Sequence, residues 1–130
     1  MPVTLRLIGE PVIVSYIANP FIGHGQFRLE NHGASAVAAS IDAVWLELGE
    51  SRKQLSDISA FDLDHDRPAN PDSLTVEAES MIRFLVGFPR LAHEPPFGES
   101  AAVRLRVHSG GVQLQAVSPI KFVRRIPDRR

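Results

Sequence analysis

Polar and apolar residues alternate most clearly between positions 101 and 118, in the stretch AAVRLRVHSGGVQLQAVS. A period of two is typical of a β-strand that buries one face and exposes the other. The alternation pauses at Gly110 and Gly111 and then resumes. Because glycine readily adopts the positive φ angles of a tight hairpin turn, the pattern predicts two antiparallel strands joined at this pair. Such a hairpin is not stable alone, so the rest of the chain must cover its apolar face.

Further short strands, separated by turn residues, are predicted along the rest of the chain. Alternation and β-branched runs place them within residues 3–8, 12–17, 26–30, 41–48, 74–78 and 82–88. A β-bulge is expected near Ala43, where the apolar positions change parity. Apolar residues at 55, 58 and 61 fit either a short helical turn or an irregular strand. Segments 62–72 and 91–100 are predicted to be loops, and a final edge strand is expected over 120–123.

Seven to nine short strands with turns between them predict an all-β sandwich or barrel. Their order resembles that of immunoglobulin-like and fibronectin type III-like domains. The resemblance is carried by Phe27-x-Leu29-x-Asn31 before a turn, by Trp45 in the next long strand, and by the closing hairpin. It implies an immunoglobulin-like antiparallel β-sandwich with a buried Trp45, and binding or scaffolding roles in general. The chain departs from antibody domains, because it has no cysteine pair and Tyr16 is far from a tyrosine-corner position.

Composition narrows the class of protein further. The chain has 130 residues, 44% of them hydrophobic, so we expect one domain over 1–130 with a substantial core. A net charge of −1 argues against a nucleic-acid partner. No run of residues is long and apolar enough for a membrane span, and the start does not read as a signal peptide. The absence of cysteine favours a reducing compartment, so the cytoplasm is the expected localisation.

The sequence contains no motif that predicts an enzyme. It has no G-x-S-x-G elbow, no phosphate-binding loop and no dinucleotide-binding fingerprint. The five histidines show no metal-ligand spacing, so we interpret them as surface residues. We therefore predict a protein without catalytic activity and without a cofactor.

The sharpest local pattern is a run of alternating carboxylates at Asp62, Asp64 and Asp66. Carboxylate oxygens are the ligands that Ca²⁺ prefers, so this segment is a candidate metal site. It departs from an EF-hand loop, because Arg67 takes the glycine position and Ser73 the position of the final glutamate. The alternative interpretation is a solvated acidic loop.

Candidate partner-binding residues fall into two groups. Phe21 and Ile22, with Pro96 and Phe97, are large apolar residues or their neighbours in Pro/Gly-rich loops. They either cap one end of the sandwich or project as anchors for a partner. The second group, Arg104 and Arg106, shares the outward face of the hairpin and suits an acidic partner, unless this face is simply solvated.

The sequence thus predicts a protein-interaction or assembly module that contacts another protein through these residues. The alternative is a ligand-binding sandwich for Ca²⁺ or carbohydrate. An edge strand over 120–123 would also allow a homodimer by strand addition.

Overall fold

A computed structural model describes residues 5–16, 23–88 and 101–124, which form eleven strands and no helix. No described helix is long and apolar enough to cross a membrane. The strands are β1 (Leu5–Glu10), β2 (Val12–Tyr16), β3 (Gly23–Asn31), β4 (Val37–Leu48), β5 (Ser51–Leu55), β6 (Ser59–Asp62), β7 (Arg67–Ala69), β8 (Leu74–Val76), β9 (Ser80–Phe88), β10 (Ala101–Ser109) and β11 (Val112–Arg124).

These strands form two sheets. Sheet 1 has the order β1-β3-β9-β6-β7, and sheet 2 has the order β2-β11-β10-β4-β5, with β8 paired to the start of β4. Neighbouring strands are antiparallel except β2 and β11, which are parallel. The path β1-β3-β9-β6 corresponds to the A-B-E-D sheet of an immunoglobulin domain, and β11-β10-β4 to its G-F-C strands. The predicted all-β, immunoglobulin-like sandwich is therefore confirmed, with eleven described strands in place of the seven to nine predicted.

The core lies between the sheets and follows from the alternation in the sequence. In β10, Val103, Leu105 and Val107 are buried, whereas the residues between them face outward. In sheet 1, the rings of Phe27 and Phe84 stack with centroids 5.9 Å apart. Full burial of each such side chain contributes about 1.5–3 kcal/mol to stability, so the side chains buried between the sheets hold the two sheets together. The predicted hairpin is confirmed: Ser109 pairs with Val112, and Gly110 and Gly111 have φ angles of 54° and 91°.

The first strand changes sheets at Pro11. Upstream of it, β1 pairs with β3 in sheet 1, and downstream of it, β2 pairs with β11 in sheet 2. A Cβ atom on Gly9 would lie 1.9 Å from the carbonyl oxygen of Val117, so only glycine allows the close crossing. Beside it, the buried hydroxyl of Ser118 accepts a hydrogen bond from the Gln26 amide and donates one to the Glu10 carbonyl. This serine therefore links both sheets.

The structure tests three local predictions: the bulge near Ala43, the conformation of residues 55–61 and the loop at 62–72. The bulge is confirmed, because Arg106 pairs with Ala43 and Val107 pairs with Ile41, which leaves Asp42 unpaired in the ladder. Around residues 55–61 the irregular-strand alternative applies, since Ser59–Asp62 is β6. The loop prediction for 62–72 is wrong in part, because Arg67–Ala69 forms β7 against β6.

The prediction of an edge strand at 120–123 is wrong for β11 as a whole, which lies between β2 and β10 in sheet 2, although residues 121–124 pair only with β2 among the described strands. Residues Ile120 to Arg124 of β11 pair with β2 on one side, and β11 pairs with β10 on the other over its earlier residues. Pro119 suggested an edge because it lacks an amide hydrogen. The structure tolerates it inside the sheet because β2 begins its pairing at Ile120, one residue later.

Candidate functional site

The predicted loop anchors Phe21, Ile22, Pro96 and Phe97 lie outside the described residues, so their role stays a prediction. His93 lies outside them too. The partner-binding candidates that the structure describes are Arg104 and Arg106, which both lie on the outer face of sheet 2.

Both arginines belong to a network that covers β10, β4 and β5. Arg104 Nε lies 3.0 Å from Glu47 Oε2, and Arg52 Nη2 lies 3.0 Å from the same oxygen. Arg106 Nε lies 2.7 Å from Oδ2 of Asp42, the residue that the bulge in β4 leaves unpaired. Three guanidinium groups therefore share two carboxylates, which leaves one net positive charge on this part of the face.

Trp45 lies at the centre of this network. The guanidinium carbons of Arg52 and Arg106 lie 5.8 Å and 5.4 Å from the indole centroid, within the range of cation–π attraction. Arg106 pairs with Ala43, two residues before Trp45, and Arg52 pairs with Glu47, two residues after it. The two arginines thus approach the indole from opposite directions along β4. We call this surface, formed by Asp42, Trp45, Glu47, Arg52, Arg104 and Arg106, the Trp–Arg face.

The expectation of a buried Trp45 is wrong. Val44 and Leu46 are buried, and Trp45 between them is half-buried on the opposite side of the strand. The physical reason is the two-residue period of β4 after the bulge, which directs Val44 and Leu46 into the core. Sequence reasoning therefore found Arg104 and Arg106 of this surface and missed Arg52 and the exposed face of Trp45.

The electrostatics of the Trp–Arg face stabilise the ionised form of Glu47. Hydrogen bonding from Arg104 lowers the pKa of this carboxyl most, and Arg52 lowers it further, whereas partial burial opposes them. The carboxylate therefore stays charged at neutral pH and holds both arginines in place. A fixed charge network costs little further side-chain entropy when a partner binds.

The candidate metal residues occupy the turn between β6 and β7, with their side chains engaged by neighbours. Asp62 accepts hydrogen bonds from the backbone amides of Asp64 and His65, and from His65 Nδ1 at 2.8 Å. Asp64 accepts bonds from the backbone amide and side chain of Arg83. Asp66 is exposed and has a φ of 51°. Among the residues that the structure describes, no group of three or more His, Asp or Glu side chains is arranged to hold a metal ion.

Both engaged carboxylates have lowered pKa values. For Asp62, burial raises the pKa, but hydrogen bonds from His65 and from the backbone outweigh it. For Asp64, the hydrogen bond from the Arg83 amide is the largest cause of the lowered pKa. The Asp62–His65 pair has the composition of a catalytic carboxylate–imidazole pair, but no described hydroxyl group bonds to His65.

The remaining described histidines do not converge. His24 is half-buried in β3, and this burial lowers its pKa. His32 is exposed with Nε2 3.1 Å from Glu30, and His108 is exposed near the end of β10.

A cleft of about 440 Å³ lies between β7 and β8 at one edge of the sandwich. Leu74, Ile82 and Phe84 form its apolar floor, and its rim includes Arg67 and Thr75. Local alternation carries no signal for this cleft, because segments from β6 to β9 come together to line it.

The buried Asn31 is a second residue whose environment sequence reasoning missed. Its side-chain amide donates to the carbonyls of Ser35, Val76 and Glu77, and its oxygen accepts a hydrogen bond from the Gly33 amide. The amide nitrogen has two hydrogens for these three carbonyls, so one hydrogen is shared between two of them, and the side chain joins the β3 turn to the end of β8.

Comparisons with known proteins identify the fold only. No family model matches the chain, and no curated protein matches it. Among solved structures, a family 123 glycoside hydrolase from Clostridium perfringens has a TM-score of 0.54 at 10% identity. The match covers 93% of this chain and 28% of the hydrolase, so the chain spans little more than a quarter of that protein.

Two further solved structures have similar scores. A FixG-related protein from Vibrio parahaemolyticus has a TM-score of 0.51 at 9% identity, covering 94% of this chain and 95% of that one. The E. coli chaperone DraB has a TM-score of 0.50 at 10% identity, covering 89% and 52%. At these identities the similarity shows the β-sandwich fold alone.

Proposed function

We propose that this chain is a protein-interaction or assembly module that binds its partner through the Trp–Arg face. The observation that carries the proposal is the half-buried Trp45 held between Arg52 and Arg106. Tryptophan and arginine are the residues most enriched among those that dominate protein–protein binding energy. Here the arginines are pre-organised by ion pairs on the outer face of sheet 2, which reduces the entropy lost on binding.

The similar solved structures are compatible with this proposal at the level of fold. The DraB structure is that of a chaperone, and the FixG-related protein is matched over nearly its whole length. The loops with Phe21, Ile22, Pro96 and Phe97 remain proposed as an additional contact region, on the sequence argument alone.

A carbohydrate platform is less well supported by the same surface. Sugar rings stack on a free aromatic face, and the guanidinium groups of Arg52 and Arg106 already lie over the ring of Trp45. This tryptophan is the single one in the chain. The charged surroundings suit a protein partner better.

Affinity capture tests the proposal, with the tagged full chain as bait, a lysate of the source organism and chemical cross-linking to locate the contact. Arg104→Gln with Arg106→Gln should abolish retention of the specific partner. The matched control is Arg28→Gln with Arg83→Gln, which removes two ion-paired arginines from sheet 1. A third variant, Phe21→Ala with Phe97→Ala, examines the loops.

Each result of the capture has a distinct meaning. Loss of the partner in the first variant, with retention in the control, supports the Trp–Arg face. Loss in the loop variant alone moves the contact to the loops. If the wild-type chain retains no specific protein, the proposed function is wrong.

A further inference from the structure

Although the net charge of this chain is nearly neutral, its acidic and basic residues are concentrated in different segments. Residues 57–79 hold seven of the fifteen acidic residues and one of the fourteen basic ones. The rest of the chain therefore has an excess of basic residues. The acidic residues of this segment are Asp57, Asp62, Asp64, Asp66, Asp72, Glu77 and Glu79.

In the fold, this segment forms one edge of the sandwich. It contains β6, β7 and β8, and β7 is the last strand of sheet 1. Asp57, Asp72 and Glu77 are exposed, and in the described structure their side chains form no hydrogen bond or ion pair. We call the exposed surface of residues 57–79 the acidic edge. Its carboxylates are available to a cationic partner.

The complementary charge lies on the Trp–Arg face of the same chain. Three arginines there meet two carboxylates, and Lys121 adds an exposed positive charge on the same outer face of sheet 2, next to the buried Ile120. This face is the broad outer surface of sheet 2, whereas the acidic edge lies beside it where sheet 1 ends. No described ion pair joins Asp57, Asp72 or Glu77 to the arginines of the face.

We propose that the partner of the Trp–Arg face is a second copy of this chain, which docks its acidic edge on that face. The inference rests on the proposed function and names the occupant of its surface. The two contact regions differ, so the association is head-to-tail and a bound copy still offers a free face or a free edge. Complementary potentials steer such a contact and fix its orientation.

Sedimentation velocity of the full chain at increasing protein concentration, up to about 1 mM, tests this association. At about 0.01 M salt, where charges act over about 30 Å, the mass should rise above the 14.3 kDa of one chain. At about 1 M salt, where the range is about 3 Å, the mass should return to that of the monomer. A wild-type chain that stays monomeric at low salt overturns the inference.

Two variants separate the two contact regions. Arg104→Gln with Arg106→Gln removes positive charge from the face, and the triple change Asp57→Lys, Asp72→Lys and Glu77→Lys reverses the edge. Each should lower the association constant at least about tenfold. Arg6→Gln with Arg28→Gln, which removes the same charge from β1 and β3 of sheet 1, should leave association unchanged. Association that persists equally in both test variants overturns the inference.

Mixing the two variants gives the decisive result. The arginine variant keeps its acidic edge and the lysine variant keeps its Trp–Arg face, so together they should form a one-to-one complex of twice 14.3 kDa and no longer chains. A mixture that stays monomeric overturns head-to-tail docking. Circular dichroism melts verify folding, and Lys121→Glu replaces the arginine variant if that variant unfolds.

The test is independent of the affinity capture. A monomeric wild-type chain that still captures a different protein through Arg104 and Arg106 overturns the second copy as partner and leaves the proposed function intact. A chain that self-associates through other surfaces and captures nothing contradicts both.

Discussion

Two residues, Glu79 and Asn31, show how a single position can lower or raise the stability of this fold. Glu79 has a φ of 54° in the turn between β8 and β9, a region that favours glycine. Asn31 is buried and makes four hydrogen bonds. The first residue costs stability in the folded state, and the second provides stability that no apolar residue can replace.

Replacement of Glu79 by glycine should stabilise the protein. Left-handed backbone costs a residue with a Cβ about 1–2 kcal/mol, part of which the greater chain entropy of glycine offsets in the unfolded state. We expect a net gain of about 0.5–1 kcal/mol in the free energy of unfolding by urea. Glu79→Ala controls for the loss of the carboxylate. A glycine variant less stable than the alanine variant would contradict the strain.

Replacement of Asn31 by alanine should destabilise the protein markedly. It removes the partner of three carbonyls and of the Gly33 amide, of which the Val76 carbonyl is buried and the others are partly buried, and an unsatisfied buried group costs about 1–3 kcal/mol if no water replaces the bond. Asn70→Ala is the matched control, because the Asn70 side chain accepts one exposed bond from the Asp72 amide. Equal losses of unfolding free energy in both variants would refute the structural role of Asn31.

At the scale of elements, strands β4, β5 and β10 are joined twice, by the backbone ladder and by the side chains on their outer face. The ladder depends on amides that every strand has, whereas the outer network depends on Glu47 and its two arginines. The charge state of this carboxylate therefore influences how firmly β5 and β10 are fixed to β4.

The stability contributed by Glu47 should depend on pH. Because its pKa is lower in the folded protein than its usual 4.5, its contribution is present above 4.5 and is lost as pH falls through the lowered value. We expect Glu47→Gln to cost up to about 1 kcal/mol at neutral pH, as for exposed ion pairs. The difference from wild type should vanish in strong acid. A difference that is constant across urea titrations at pH 7 and pH 2 would contradict the ion pairs.

The turn between β6 and β7 provides a test of calcium binding. Asp62 and Asp64 already accept hydrogen bonds from His65 and Arg83, which a cation would have to displace. We expect added Ca²⁺ and added chelator to leave the melting temperature unchanged. A bound ion at a hundredfold excess over its Kd would instead raise stability by about 2.7 kcal/mol, which a thermal melt readily detects.

At the scale of the whole molecule, the two sheets share one core and the chain passes between them repeatedly. The crossing at Pro11 and the bonds of Ser118 tie sheet 1 to sheet 2 directly. If the two sheets separated, the apolar inner face of each would be exposed to water. The molecule should therefore unfold as one unit.

Cooperative unfolding can be measured with a built-in reporter. Trp45 is the single tryptophan and lies on sheet 2, so its fluorescence follows that sheet, whereas far-UV circular dichroism follows both. We expect the two urea transitions to coincide. Separate midpoints would show that the sheets unfold independently and that 1–130 is not a single domain.

The features that depend on local alternation could be predicted from the order of residues. The hairpin at Gly110 and Gly111, the bulge near Ala43 and the sandwich class follow from a period of two and from turn residues. These features arise within a few residues of chain, where side-chain direction and backbone freedom decide the conformation.

Long-range packing sets which strands are neighbours and which side chains meet on their outer faces. The parallel pairing of β2 covers Ile120 and removes the expected edge, and the registers of β5 and β10 bring Arg52 and Arg106 to either side of Trp45. Asn31 likewise meets carbonyls about 45 residues away along the chain. Such contacts depend on how distant segments pack, and local periodicity carries no information on that choice.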